Sequence, residues 1–257
     1  MKHLILFVIL AAPLFGAPAA EQIKVAEGEF HMRSADSDQP GKTSVDHWIL
    51  YARKQGGYRL ESEVTAAAGT GLIVIQTEEL DEQFNPMVIN IKLYAHENTR
   101  KPFASLSCHL SAEQIACKAG DQELKMSSDA DPKGPVLFAV SSLEHIDLMW
   151  MMSGAINRAH FAENKATLPT LVLQDGEDGP ELAQTEVAVL HEDGKAELEI
   201  RGARVATRRY SVDGSKLKCW VSDSGLPLKM ENEDGAVIEL EKFRQYKKLV
   251  PELPVTP

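Results

Sequence analysis

The groups in this 257-residue sequence that could do chemistry are three cysteines, eight histidines and 38 acidic residues. Cys108 and Cys117 flank the stretch Ser111-Ala112-Glu113-Gln114, which has the look of a hairpin tip. If Ala112 and Glu113 form a two-residue loop, Ser111 faces Gln114 and Cys108 faces Cys117 across a non-hydrogen-bonded site. Cα atoms there approach to about 4.5 Å, a span that a disulfide accepts. Two readings stay open: a Cys108–Cys117 disulfide, or two reduced core cysteines in neighbouring strands. Cys219 is the odd thiol. Lys218 beside it could favour a thiolate, which a cysteine nucleophile requires, but a small buried hydrophobe is the simpler role. No C-x-x-C pair occurs, so the spacing does not describe a zinc site.

The other catalytic patterns are missing. There is no H-E-x-x-H, no nucleotide-binding glycine fingerprint and no phosphate-binding loop. Glu144, His145 and Asp147 come close together in sequence, but two residues apart on a helix do not share a face. The glycine–serine contexts, Gly214-Ser215 and Ser224-Gly225, belong to turns and not to a nucleophile elbow. Asp175, Glu177 and Asp178 in "LVLQDGEDGPEL" offer oxygens that calcium favours, yet their spacing matches no calcium loop. The expectation is therefore a non-enzymatic protein with no metal and no cofactor. Carboxylate pairs leave little trace in sequence, so a hydrolase with an unrecognised acidic site stays as a further alternative.

What remains is apolar. Trp48, Trp150 and Trp220 are the only tryptophans, and Met149, Met151 and Met152 surround Trp150. Flexible thioethers suit adaptable apolar pockets. Plain core and cavity lining look alike in one dimension. If a cavity exists, Trp48, Leu143, Ile146, Met149, Trp150, Met152 and Trp220 are the expected ligand-binding residues.

The elements that must position these residues are mostly strands. Before them, residues 1–19 read as a signal peptide. Lys2 opens it, Leu4 to Leu14 is apolar, and Ala17-Pro18-Ala19 is a small-x-small cleavage signal. The apolar run is too short to span a bilayer at roughly 20 residues per helix, so no transmembrane anchor is expected after cleavage. The chain is then periplasmic or secreted, where disulfides persist. Its net charge is −11, and losing Lys2 with the leader makes it −12. That balance repels phosphate backbones, which excludes nucleic acid as a partner. It also disfavours docking on anionic lipid through basic residues.

Residues 20–249 read as a single β-rich domain and 250–257 as a proline-rich tail. "TSVDHWILYARK" alternates Val45, His47, Ile49 and Tyr51 against Asp46, Trp48 and Leu50. "YRLESEV" puts Tyr58, Leu60, Ser62 and Val64 on one side. Asp193-Gly194, Asp213-Gly214 and Asp234-Gly235 are hairpin signals. Strands so closely spaced predict an antiparallel sheet of about ten or more strands. One segment breaks the pattern. Residues 140–161 have helical period, with a capping box at Ser141–Glu144 and Leu143, Ile146, Met149 and Trp150 on one face. Leu148, Met151, Met152 and Ile156 widen the apolar stripe, so the 141–158 helix should be covered nearly all round.

The closing hairpin, "WVSDSGLPLKME", places Trp220, Asp223, Gly225, Leu226, Pro227, Leu228 and Met230 in a W-x-x-D-x-G-L-P-L pattern. With "LDEQFNPMVINIKLY" and its Pro86, this layout resembles a family of uncharacterised bacterial exported antiparallel-β proteins. It is similar in outline to the lipoprotein-carrier (Lol-type) half-barrels, in which a bent sheet wraps helices around an apolar cavity. This chain shows one helix where the carriers use several as a lid. Pro227 cannot donate to a ladder and so predicts an edge position or an outward-facing N–H.

Together these readings predict a mainly β fold: a curved antiparallel sheet or half-barrel with one apolar helix packed on the concave face. The expected function is binding of an apolar ligand (a lipid or other apolar small molecule, or a lipoprotein-like one) or of an envelope protein. The alternative is a secreted structural or protein-interaction module with no ligand cavity.

Overall fold

The computed structural model describes residues 22–33, 43–65, 72–95, 97–111, 114–127, 137–140, 148–176, 179–200, 202–213, 217–232 and 235–247. The first eight strands are β1 (Ile23–Arg33), β2 (Thr43–Ala52), β3 (Tyr58–Thr65), β4 (Leu72–Leu80), β5 (Pro86–Ala95), β6 (Ala104–Leu110), β7 (Gln114–Ala119) and β8 (Gln122–Ser127). A short β9 (Leu137–Val140) precedes the helix α1 (Leu148–Arg158). Six strands follow: β10 (Lys165–Gly176), β11 (Gly179–Ile200), β12 (Ala203–Val212), β13 (Lys218–Ser222), β14 (Pro227–Glu231) and β15 (Val237–Gln245).

All fifteen strands join one sheet, in the order β8-β7-β6-β5-β4-β3-β2-β1-β15-β14-β13-β12-β11-β10-β9. Two meanders are thus joined where the first and last strands pair antiparallel, from Ala26 against Gln245 to Arg33 against Val237. Hydrogen-bonded turns join some of the sequential antiparallel neighbours, as between Arg53 and Gly57 and between Ser222 and Leu226. β9 and β10 are the exception, since they pair in parallel. Parallel neighbours need a crossover connection, and α1 lies in that connection. β8, first in the order, also touches β11, third from the other end. The sheet therefore curls back on itself.

The period-2 patterns hold where the register can be followed. On β2, Trp48 and Leu50 are buried, and on β3 so are Tyr58, Leu60, Ser62 and Val64. The pairs Trp48–Ser62, Ser62–Gln76 and Gln76–Ile91 carry one buried row across four strands. Cys108 pairs with Cys117 and the two are disulfide-bonded, with Cα atoms 4.1 Å apart. Ser111 N–H donates to the Gln114 carbonyl at 3.0 Å and closes that hairpin. Cys219 is a buried free thiol, and burial pushes its pKa up to about 12.

Two expectations need correction and one is narrowed. Asp193-Gly194 does not turn the chain: β11 runs through it as one strand of 22 residues. The register against β12 shifts there instead, between Glu192 and Gly194, as at a β-bulge. Gly194 takes φ +104°, which only glycine accepts easily. Arg208 with Glu192 and Arg209 with Asp193 form ion pairs at 2.7 Å and 3.0 Å that tie the bulge to β12. For Pro227 the edge alternative fails, because β14 lies between β13 and β15, and the alternative of an N–H outside the ladder is the one that fits. Pro227 is the first residue of β14, at a register shift against β13, and the β14–β15 pairs begin only at Lys229. A missing N–H therefore costs no ladder bond there.

The helix is also not the expected 141–158 apolar rod. It is short, 11 residues from Leu148 to Arg158. Ser153 and Gly154 are buried with Met149, Trp150, Met152 and Ile156, so its covered surface is not purely apolar. The reason is close backbone packing on either side, described below. Leu143, Ile146, the Ser141–Glu144 cap, His145 and Asp147 lie outside the described residues, as do the leader 1–19 and the tail 250–257.

Candidate functional site

Two turns hold α1. The first is the β4–β5 connection. Asp81 Oδ1 accepts from the backbone N–H of Gln83 at 2.7 Å and of Asn85 at 2.9 Å, and from Asn85 Nδ2 at 2.9 Å. This network fixes Phe84 at φ +63°, a backbone region uncommon for a bulky residue. Its ring is driven inward, 4.8 Å from the Tyr58 ring and 5.6 Å from Trp150 between centroids. Gly154 comes so close to this turn that a Cβ there would lie 2.4 Å from the Phe84 carbonyl oxygen. The second turn joins β13 to β14. Gly225 takes φ +81° in it, and its carbonyl accepts a hydrogen bond from Ser153 Oγ.

Held there, α1 projects Trp150 edge-on against Trp48, ring centroids 5.1 Å apart, and Trp48 stacks on Phe30 at 5.7 Å. Next to this aromatic group is a cleft lined by Phe30, Met32, Ser44, Asp46, Val64, Met149 and Ile238. The register explains the set. Met32 pairs with both Ser44 and Ile238, while Phe30 pairs with Asp46, which pairs in turn with Val64. The cleft thus sits on the seam where the first and last strands meet. About 20 Å³ of it is space that a water-sized group can occupy.

Asp46 is the one ionisable group among the described residues of that lining. Burial raises its pKa from an ordinary value near 3.8 to about 6, while the hydrogen bond from Ser62 and the charge of His47 oppose the rise. Ser62 Oγ donates to Asp46 Oδ1 at 2.6 Å. Further round the same buried face, Gln76 Nε2 donates to Glu78 Oε1, and both residues are almost fully covered. Gln76 Oε1 and the indole nitrogens of Trp48 and Trp150 are buried and have no hydrogen-bond partner among the described residues. Such groups cost free energy unless a water or another molecule satisfies them.

Of the residues singled out in the sequence, Trp48, Met149, Trp150 and Met152 are buried in the core together. Met149 alone lines the cleft. Trp220 is separate: its ring lies under Lys229 Nζ, 5.0 Å from the centroid, across the β13–β14 pair. Leu143 and Ile146 lie outside the described residues. Sequence reasoning missed Asp46, Phe30, Met32, Val64 and Ile238. The signal for Asp46 was present, since it shares the alternation phase of Trp48 and Leu50 and is therefore a carboxyl aimed at the covered side.

Among the described residues no group of three or more His, Cys, Asp or Glu side chains is placed to hold a metal ion. No helix among them is long and apolar enough to cross a membrane. The sequence matches no protein-family model and no curated protein. The chain is similar to a crystal structure of a β-barrel-like protein of the domain of unknown function DUF1849 from Brucella abortus, with a TM-score of 0.44 and 11% identity over 88% of this chain and 99% of that one. A likeness at this level carries no argument about function.

Proposed function

We propose that this is a non-enzymatic exported protein that binds an apolar small molecule in the cleft between α1 and the β1–β15 seam. The observation that carries the reading is the cleft's composition: five apolar side chains, Phe30, Met32, Val64, Met149 and Ile238, surround one carboxyl group. Ligand sites have this make-up, mostly apolar walls with few placed polar groups. The enclosed part of the cleft, about 20 Å³, is far smaller than the pockets that bury whole ligands, so the group taken up is water-sized: a small molecule's end or one end of a longer chain. Export to the periplasm or beyond rests on the leader, and the disulfide is compatible with it.

The test is direct. Natively purified protein is extracted with organic solvent and analysed by mass spectrometry, and the apolar dye 1-N-phenylnaphthylamine is titrated into it. A stoichiometric extracted molecule, or saturable dye binding that Ile238→Phe abolishes while leaving the circular dichroism unchanged, supports the reading. Clean extracts together with dye binding indifferent to Ile238→Phe reject it.

A further inference from the structure

We infer that the ligand of this cleft carries an ammonium group, seated on Asp46, and is thus an amine-headed apolar chain rather than a fatty acid. The inference rests on the apolar-ligand reading above and specifies the chemistry of the head. Among the described residues Asp46 is the sole charged side chain in the lining, which otherwise offers apolar groups and the Ser44 hydroxyl. Among the described residues no Lys, Arg or His lines it, and His47, the neighbour of Asp46, lies outside the lining. An anionic head beside Asp46 would place two like charges in a poorly hydrated recess, which is strongly unfavourable. An ammonium head reverses that sign and supplies up to three donors to a group that only accepts when ionised.

The geometry fits that exchange. Ser62 Oγ already holds Asp46 Oδ1, fixing the carboxyl on the covered face of the sheet. That bond engages Oδ1, so a donor from outside would meet the carboxyl at Oδ2. The recess of about 20 Å³ takes one water-sized group, which is the size of an ammonium and not of a branched head. Met149 and Ile238 then flank the methylenes that leave through the mouth.

Competition against bound 1-N-phenylnaphthylamine separates the outcomes. The competitors are dodecylamine, dodecanol and dodecanoate, used below their micellar concentrations, with the wild-type protein, Asp46→Asn and the control Glu199→Gln. Glu199 is exposed on β11 and removes the same unit of charge. The expected result is that dodecylamine competes at least about tenfold better than dodecanol, and dodecanoate worst. Asp46→Asn should erase the amine's advantage and leave dodecanol unchanged, while Glu199→Gln should keep the advantage. Dodecanoate matching the amine, or an amine preference that survives Asp46→Asn, overturns the inference and leaves the apolar-ligand reading standing. Failure of all three chains and the dye to bind overturns both.

Discussion

Replacing Gly154 by alanine should destabilise the protein, although helix propensity alone predicts the opposite. In an exposed helix interior alanine is favoured over glycine by about 0.8–1.0 kcal/mol. Here the new Cβ would lie 2.4 Å from the Phe84 carbonyl oxygen, 2.9 Å from its carbonyl carbon and 3.1 Å from Asn85 Cα. All three are backbone atoms and cannot rotate away. The turn that carries them is pinned by Asp81, and on its other side Ser153 ties α1 to Gly225. Overpacking of this kind costs typically about 1–3 kcal/mol, so the propensity gain offsets only part of it. Contacts of 2.4 and 2.9 Å to backbone place this case in the upper part of that range, so the expected net loss is about 1–2 kcal/mol. Urea unfolding followed by tryptophan fluorescence measures it, because Trp150 sits one turn before Gly154 on α1. Asp81→Ala, which frees the turn, should absorb part of the cost, so the double variant should be more stable than the sum of the singles by about 0.5 kcal/mol or more. A Gly154→Ala protein as stable as the parent, or strictly additive with Asp81→Ala, would refute the seat of α1 described above.

Other consequences follow from single groups. Asp46 has a folded pKa of about 6 against about 3.8 when exposed, so the folded state binds its proton more tightly. Its contribution to stability is therefore fully present below about pH 4 and is lost as pH rises through 6; at pH 8 Asp46→Asn should be the more stable protein, by at most about 3 kcal/mol and by less because the residue is only half-buried. The two proteins should converge near pH 4 in parallel urea titrations; a difference that does not change with pH contradicts the assignment. Refolding under reductant, with the Cys108–Cys117 bond open, should lower stability by about 2–3 kcal/mol for a loop of this size, measured by urea midpoints with and without the bond. Cys219, whose thiol is pushed up to about 12 by burial, should react with Ellman's reagent at pH 8 only in denaturant, and rapid native labelling would show that the β13 strand is not covered as described.

Local chemistry made much of this fold legible. Paired cysteines at the right distance from a two-residue tip fixed the β6–β7 register, and Asp223-Ser224-Gly225 marked a true turn because Gly225 supplies its positive φ. The same logic misled at Asp193-Gly194. A dipeptide that favours φ > 0 serves a bulge as well as a hairpin, and the choice was made by arginines on the neighbouring strand. Pairing between β1 and β15 joins residues more than 200 positions apart, and nothing local encodes it. The cleft could not be foreseen for that reason: it is built across the seam. Periodicity did place Trp48 and Trp150 inside, but it could not say that Phe84 would be forced against Trp150 and Tyr58 by the turn that Asp81 holds. The cross-strand lysine that covers the Trp220 ring is likewise invisible without the register.

The central claim is that the cleft beside Met149 takes up one end of an apolar chain. The most direct measurement is quenching of tryptophan emission by dodecanol brominated beside its hydroxyl end, in a Trp220→Phe background that leaves Trp48 and Trp150 as reporters. Both rings belong to the aromatic group next to the cleft, so the account predicts saturable quenching that Ile238→Phe removes. Quenching that rises linearly without saturation, or that is unchanged by Ile238→Phe, would contradict it.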